Sequence, residues 1–136
     1  MSTYFAHSEN STGARHDLVQ HLKSVADLAG KFAEKFGARD FGFWAGLWYD
    51  LGKFHPDFQS YIASPEGRRG PDHSSAGALY ATAWFEALAF LVAGHHAGLP
   101  NRADLKNRLK EKSGSPPVSE ALQAAQTTLS PDLRVG

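Results

Sequence analysis

The stretch DLVQHLKSVADLAGKFAEKFG, residues 17–37, decides the fold because its apolar residues recur at helical spacing. These apolar positions are Leu18, Leu22, Val25, Leu28, Ala29, Phe32 and Phe36. Steps of three and four residues place side chains on one side of an α-helix. Gly37 follows as a typical helix end. The stretch therefore predicts an amphipathic helix over residues 17–36.

The rest of the chain shows the same helical pattern. A second helix is predicted from Asp40, as its N-cap, to Leu51, with Phe41, Trp44 and Leu47 buried. Further helices are predicted over residues 56–63, over 74–84 and 86–95 as two helices or one kinked helix, over 103–112 and over 118–128. No segment alternates apolar and polar residues as a half-buried strand would. We therefore expect one all-α domain, residues 1–136.

Composition limits the classes of site and partner. The chain has no cysteine, so any metal must bind through nitrogen and oxygen atoms. The 14 basic residues balance the 14 acidic ones, which leaves no overall positive field for binding nucleic acid. The basic segment 102–112 also contains Asp104 and Glu111, and it is interpreted as a solvated helix face. No apolar run approaches the roughly 20 residues of a membrane span, so a cytoplasmic protein is expected.

Among the seven histidines, His95 and His96 stand side by side where a helix is expected to end. Adjacent side chains on a regular helix diverge by about 100°. A pair that serves one centre is therefore easier to build where the backbone leaves the helix, and Gly94 and Gly98 allow that. An exposed or capping pair is the alternative.

Asp50 lies at the C-terminal end of an apolar, tryptophan-rich helix, in the segment AGLWYDLGKFHPDFQ. A negative side chain there opposes the helix dipole, so it needs a compensating cation. Lys53 or a metal ion could supply that charge, and a salt bridge to Lys53 alone remains the simpler interpretation.

The remaining histidines are less informative. His21 lies beside the apolar face of the first helix, and His73 precedes a helix start with Asp72 or Ser74 as cap. Either one alone is typical of a hydrogen-bonded core or helix-end histidine. Three others, His7, His16 and His55, lie in polar surroundings and are assigned no role.

Five segments carry a resemblance to a known family. In order they are YFAHS, HLKSVADLAGKFAEKFG, AGLWYDLGKFHPDFQSYI, DHSSAGA and LVAGHHAGLPN. Together, over residues 4–101, they resemble the HD nuclease domain of the type I CRISPR helicase-nuclease. The resemblance implies an HD-type helical bundle that holds two metal ions and cuts single-stranded DNA supplied by a helicase.

The resemblance also implies a set of site residues. The metal ligands by position are His21, Asp50, His73, His95 and His96, with Asp50 bridging two ions. Asp50 and Lys53 are the expected catalytic residues, with Lys53 neutralising charge on the phosphate. Imidazoles with one carboxylate suit Mn, Fe, Co, Ni or Zn better than Mg, and one or two ions per chain are expected.

Two features depart from the family pattern. Tyr49 stands where the family has the histidine of its HD pair, and the family's final aspartate has no clear match before Gly136. The chain is therefore expected to lack the C-terminal part of the family domain. Asp132 could replace that carboxylate, although a helix cap is the simpler interpretation. Tyr49 could bind a metal only as phenolate, which its ordinary pKa near 10 opposes.

The resemblance implies a metal-dependent endonuclease domain for single-stranded DNA in CRISPR antiviral defence, impaired by Tyr49. Its expected partners are single-stranded DNA, a helicase domain or subunit and the CRISPR surveillance complex, with no membrane. Two alternatives stay open. One is an HD phosphohydrolase acting on nucleotides, and the other is an inactive HD module that docks a helicase or the surveillance complex.

Overall fold

Helices make up nearly all regular structure in the computed structural model, which describes residues 3–64, 69–96 and 98–129. Its α-helices are α1 (Leu18–Glu34), α2 (Arg39–Trp48), α3 (Pro56–Ala63), α4 (Ser75–Thr82), α5 (Glu86–Gly94), α6 (Arg102–Ser113) and α7 (Pro116–Thr128). A 3₁₀ turn, Leu51–Phe54, joins α2 to α3. Within the described ranges the all-α prediction is confirmed, and the two-helix alternative holds for α4 and α5.

Helix α1 begins as predicted, because the Asp17 side chain caps it by accepting a hydrogen bond from the Gln20 amide at 3.0 Å. Its buried face differs from the predicted apolar stripe. The buried residues are Leu18, Leu22, Ala26, Gly30 and Ala33, whereas Leu28, Phe32 and Phe36 are 55%, 59% and 76% exposed. Helix α2 packs on the small residues of α1, since small side chains let two helix backbones approach closely.

Helix α2 brings the chain from the surface into the core. Asp40 lies in the first turn rather than at the N-cap, which is Ala38. Trp48 and Leu47 are almost fully buried, while Phe41 and Trp44 are only partly buried at the edge of the same cluster. The chain then enters the 3₁₀ turn, whose Leu51 and Phe54 extend that core.

Helices α4 to α7 close the other side of this core. Their most deeply buried side chains include Ala78, Ala81, Ala89, Val92 and Leu105. Leu129, just after α7, also packs in the cluster. The start of α4 and the end of α5 thus lie close to the end of α2, so the loops that adjoin these three positions come together.

The N-terminal segment crosses the start of α1. Phe5 and Asp17 form an isolated antiparallel bridge, and the Leu18 amide donates to the Tyr4 carbonyl at 2.8 Å. The Gln59 side chain of α3 bonds both backbone groups of Phe5 at 2.9 Å. No helix in the described part of the chain is long and apolar enough to cross a bilayer.

Candidate metal centre

Asp50 directly follows α2 and Tyr49, and it is only 2% exposed. Its Oδ2 atom lies 2.9 Å from the Lys53 Nζ atom, so the expected ion pair is present. Burial alone would raise the pKa of Asp50, but the contact with His95 and the charge of Lys53 outweigh it and lower the pKa to about 2. The Asp50 side chain is therefore a carboxylate at neutral pH.

Three histidines from two loops meet this carboxylate. The Asp50 Oδ1 atom lies 3.4 Å from His73 Nε2 and 3.3 Å from His95 Nε2. His96 completes the group, with its Nε2 atom 2.6 Å from His73 Nε2. One ligand atom from each of the four residues lies within 4.8 Å of the others, and the described residues contain no second such group. We call these four residues the Asp50 cluster.

The Asp50 Oδ1 atom is the unusual feature of the cluster. It is buried, and no hydrogen bond reaches it from the described residues, because the two nearby imidazoles lack hydrogen-bond geometry. A buried carboxylate oxygen without a partner is costly. Two ligands with metal bonds of about 2.0–2.2 Å on one tetrahedral ion lie about 3.4 Å apart. The two spacings to Oδ1 are close to this value, whereas the 2.6 Å between the Nε2 atoms of His73 and His96 is a hydrogen-bond distance that lengthens when both bind one ion. The donor set therefore fits a divalent transition metal.

Backbone carbonyls orient two of the imidazoles. The His95 Nδ1 atom lies 2.7 Å from the Val92 carbonyl oxygen, so an Nδ1–H group donates there and the Nε2 atom is turned towards Asp50. The same arrangement, with a longer contact of 3.4 Å, relates His73 Nδ1 to the Pro71 carbonyl. Burial lowers the pKa of His73 despite the charge of Asp50, whereas the contact with Asp50 and the hydrogen bond to Val92 raise the pKa of His95 despite its burial.

Gly52 explains how Asp50 and His73 come together. The Gly52 amide donates to the His73 carbonyl at 3.1 Å, which joins the 3₁₀ turn to the segment before α4. A Cβ atom at residue 52 would overlap the backbone of His73, so only glycine permits this approach. The motif that contains Asp50 therefore also positions a histidine located 21 residues beyond Gly52.

The adjacent His95 and His96 lie where the backbone leaves α5, as the sequence predicted. Helix α5 ends at Gly94, and the Gly98 amide closes the turn on the Gly94 carbonyl at 2.8 Å. Gly98 has φ of 81°, a left-handed conformation that favours glycine, whereas Gly94 stays helical. The two imidazole centroids are 4.2 Å apart, so both rings reach the same centre.

Arg108 of α6 ties the two histidine-bearing loops together. Its Nη1 atom donates to the Ala93 carbonyl of α5 at 2.8 Å, and its Nη2 atom donates to the Ser74 hydroxyl at 2.6 Å. Ala93 and Ser74 flank His95 and His73 along the chain. The interpretation of the basic segment as a solvated face is thus wrong for Arg108, and no motif marked this residue.

His21 lies outside the Asp50 cluster. Its Nε2 atom is 2.9 Å from the Tyr49 hydroxyl, and the Tyr49 ring contacts His95 at a centroid distance of 5.0 Å. Tyr49 therefore stands between His21 and the cluster. Burial, with the nearby charge of Asp50, raises the pKa of Tyr49 above its usual value, which keeps the side chain a phenol.

Two histidines without an assigned role lie next to His21. The His7 ring centroid is 4.9 Å from that of His16 and 5.8 Å from that of His21. The Lys53 ammonium also donates to the Ala6 carbonyl at 2.9 Å, which fixes the segment that carries His7. The YFAHS segment thus lies against the site region rather than in a remote polar loop.

His55, to which the sequence assigned no role, has polar partners but is buried. The residue is only 9% exposed. Its Nδ1 atom caps α3 by accepting a hydrogen bond from the Asp57 amide, and its Nε2 atom lies 2.7 Å from the Glu120 carboxylate of α7. His55 is a structural contact between α3 and α7. Asp132, the proposed substitute carboxylate, lies outside the described residues.

An all-α bundle with a buried aspartate after its second helix and histidines converging on it defines an HD-type domain. The chain matches the family described as "Cas3, HD domain" over residues 6–134, and it belongs to that family. This is a family of CRISPR-associated nuclease domains. No curated protein matches the chain.

Proposed function

We propose that this domain is a metal-dependent endonuclease that cleaves single-stranded DNA, with one divalent transition-metal ion held by Asp50, His73, His95 and His96. The observation that carries the proposal is the unpartnered, buried Asp50 Oδ1 atom facing two imidazole nitrogens at 3.3 and 3.4 Å. Three imidazoles with one carboxylate favour Mn, Fe, Co, Ni or Zn over Mg.

When bound, such an ion supplies Lewis-acid chemistry for hydrolysis of a phosphodiester. The chain's own residues prepare the site. Lys53 keeps Asp50 ionised and fixes its orientation, and its ammonium also bonds Ala6. Because two of its three donors are engaged, we assign Lys53 a positioning role through Asp50, in place of direct contact with the phosphate. The exposed His96 and the half-buried His73 border an opening through which a strand can enter.

Tyr49 and His21 do not form a second metal position in this proposal. Their side chains hydrogen-bond each other at 2.9 Å, and a phenol with a raised pKa is a poor ligand. The domain therefore works with one ion, at lower activity than a two-ion site, because fewer positive charges stabilise the attacking and leaving oxygens. A helicase domain or subunit, acting with the CRISPR surveillance complex, delivers the strand, since the net charge of zero gives little affinity for DNA alone.

The test is cleavage of a labelled single-stranded oligonucleotide with added Mn²⁺, Co²⁺ or Ni²⁺. Wild type should cut, while Asp50→Ala and His96→Ala should not, and His55→Ala should keep cutting because it lies outside the cluster. Metal loading without hydrolysis would instead favour an inactive docking module. Turnover of nucleoside phosphates without DNA cleavage would favour a nucleotide phosphohydrolase.

A further inference from the structure

An open cavity of about 450 Å³ borders the Asp50 cluster at His73 and His96. It is lined by Arg69, Gly70, Pro71, Asp72, His73, Ser74, His96 and Arg108. Two of these residues, His73 and His96, belong to the Asp50 cluster, so a molecule in the cavity lies directly beside the candidate metal position. We call this space the Arg69 cavity.

The Arg69 cavity has positive formal charge, with two arginines against one aspartate. The carboxylate of Asp72 is already engaged, because it accepts hydrogen bonds from the Ser74 and Ser75 amides and from the Ser75 hydroxyl. Its Oδ2 atom also lies 3.5 Å from the Lys112 ammonium. The Lys112 ammonium therefore offsets the negative charge of Asp72.

The two arginines of the cavity differ in what they can still bind. Arg108 is committed to Ala93 and Ser74. Arg69 is exposed, and within residues 3–64, 69–96 and 98–129 it has neither an ion pair nor a hydrogen bond. Arg69 is thus the cation of this cavity whose guanidinium is available to a ligand.

A second cavity nearby differs from the Arg69 cavity in the charge of its lining. It measures about 190 Å³ and includes His55, Asp57, Asp72 and Lys112 in its lining. Asp72 and Lys112 offset each other there, so Asp57 leaves the lining with negative formal charge, which disfavours an anionic strand. The charge pattern thus favours the Arg69 cavity as the route by which a phosphate backbone reaches the Asp50 cluster.

We propose that the Arg69 cavity binds the phosphodiester backbone of a single strand, and that Arg69 pairs with a phosphate next to the one hydrolysed. This inference rests on the proposed nuclease function. A guanidinium binds phosphate oxygens through two parallel N–H groups, so it fixes direction as well as position. Such a pairing adds one phosphate contact, and on a single strand each contact adds about 0.7 to the dependence of log affinity on log salt concentration.

The experiment measures binding of a fluorescent single-stranded oligonucleotide by anisotropy, in EDTA, so that metal chemistry does not contribute. Arg69→Gln is compared with Arg39→Gln, which changes an exposed arginine that pairs with Glu34 at the start of α2, the end of that helix opposite Asp50. The salt slope is the slope of log affinity against log salt concentration, and losing one phosphate contact should lessen it by about 0.7. Wild-type affinity should then fall roughly 2.6-fold more than that of Arg69→Gln between about 50 and 200 mM salt.

Arg69→Lys should retain the salt slope but bind less tightly than wild type, because an ammonium cannot pair bidentately. Equal salt slopes for Arg69→Gln, Arg39→Gln and wild type would overturn the inference. If wild type cleaves DNA and Arg69→Gln cleaves it with unchanged KM, the inference fails while the nuclease function stands. If no chain cleaves but Arg69→Gln alone loses salt-dependent binding, the function fails and the strand-binding cavity stands.

Discussion

Replacing Arg108 with methionine tests whether the hydrogen bonds of Arg108 stabilise the fold and hold the cluster histidines in position. The change keeps an unbranched apolar stem and removes the hydrogen bonds to Ala93 at 2.8 Å and Ser74 at 2.6 Å. A hydrogen bond from a charged donor contributes about 1.5–3 kcal/mol. The side chain is 29% exposed, so water partly replaces these bonds, and we expect a net loss of about 2 kcal/mol.

This loss should lower Tm by roughly 8 °C, at about 4 °C per kcal/mol for a chain of this size. Because Ala93 and Ser74 flank two cluster histidines, metal affinity should also fall, by about 10-fold. Thermal unfolding of the metal-free protein and titration with Co²⁺ measure the two effects separately. Arg39→Met is the matched control, since its exposed ion pair should contribute less than about 0.5 kcal/mol. Unchanged Tm and Co²⁺ affinity in Arg108→Met would refute the reasoning.

Three further changes separate packing from metal binding. Gly52→Ala should destabilise the fold by about 1–3 kcal/mol, measured by urea unfolding, and should reduce metal content because its Cβ displaces His73. His55→Ala should lower stability by about 1 kcal/mol through loss of the α3 cap while leaving metal content unchanged; a drop in metal would contradict its structural assignment. Tyr49→His should raise metal content above that of wild type, because neutral imidazole binds without deprotonating a phenol. Unchanged content would mean that His21 and residue 49 do not form a second position.

Much of the fold could be predicted from the spacing of apolar residues and from the residues that begin and end helices. Pro56 and Ala63 were predicted as the bounds of α3, because proline at the first helical position and the following loop mark them. The face of α1 that is buried could not be predicted. Leu28 and Phe32 outrank Ala26 in hydrophobicity, yet the small residue is buried because α2 approaches closely on that side. Hydrophobic spacing alone does not encode the distance between two helices.

The candidate site likewise has features that the sequence predicted and features that it could not predict. The family resemblance implied a ligand set that includes the four residues found together, and the glycines around His95 and His96 indicated how two adjacent side chains could share one centre. The separation of His21 from the Asp50 cluster could not be predicted, because it depends on the volume and hydrogen bond of Tyr49. The role of Arg108 could not be predicted either, because every residue has a backbone carbonyl and no sequence motif shows which one a side chain will bind.

The most direct test of the account is the metal content of the intact chain, purified without chelator and measured by elemental analysis. Wild type should carry about one transition-metal ion per chain, because one ligand set is nearly complete. Asp50→Ala and His96→Ala should carry almost none, while His55→Ala should match wild type. A wild-type chain that stays metal-free after dialysis against Mn²⁺, Co²⁺ or Ni²⁺ would contradict the central claim that the Asp50 cluster is a metal centre.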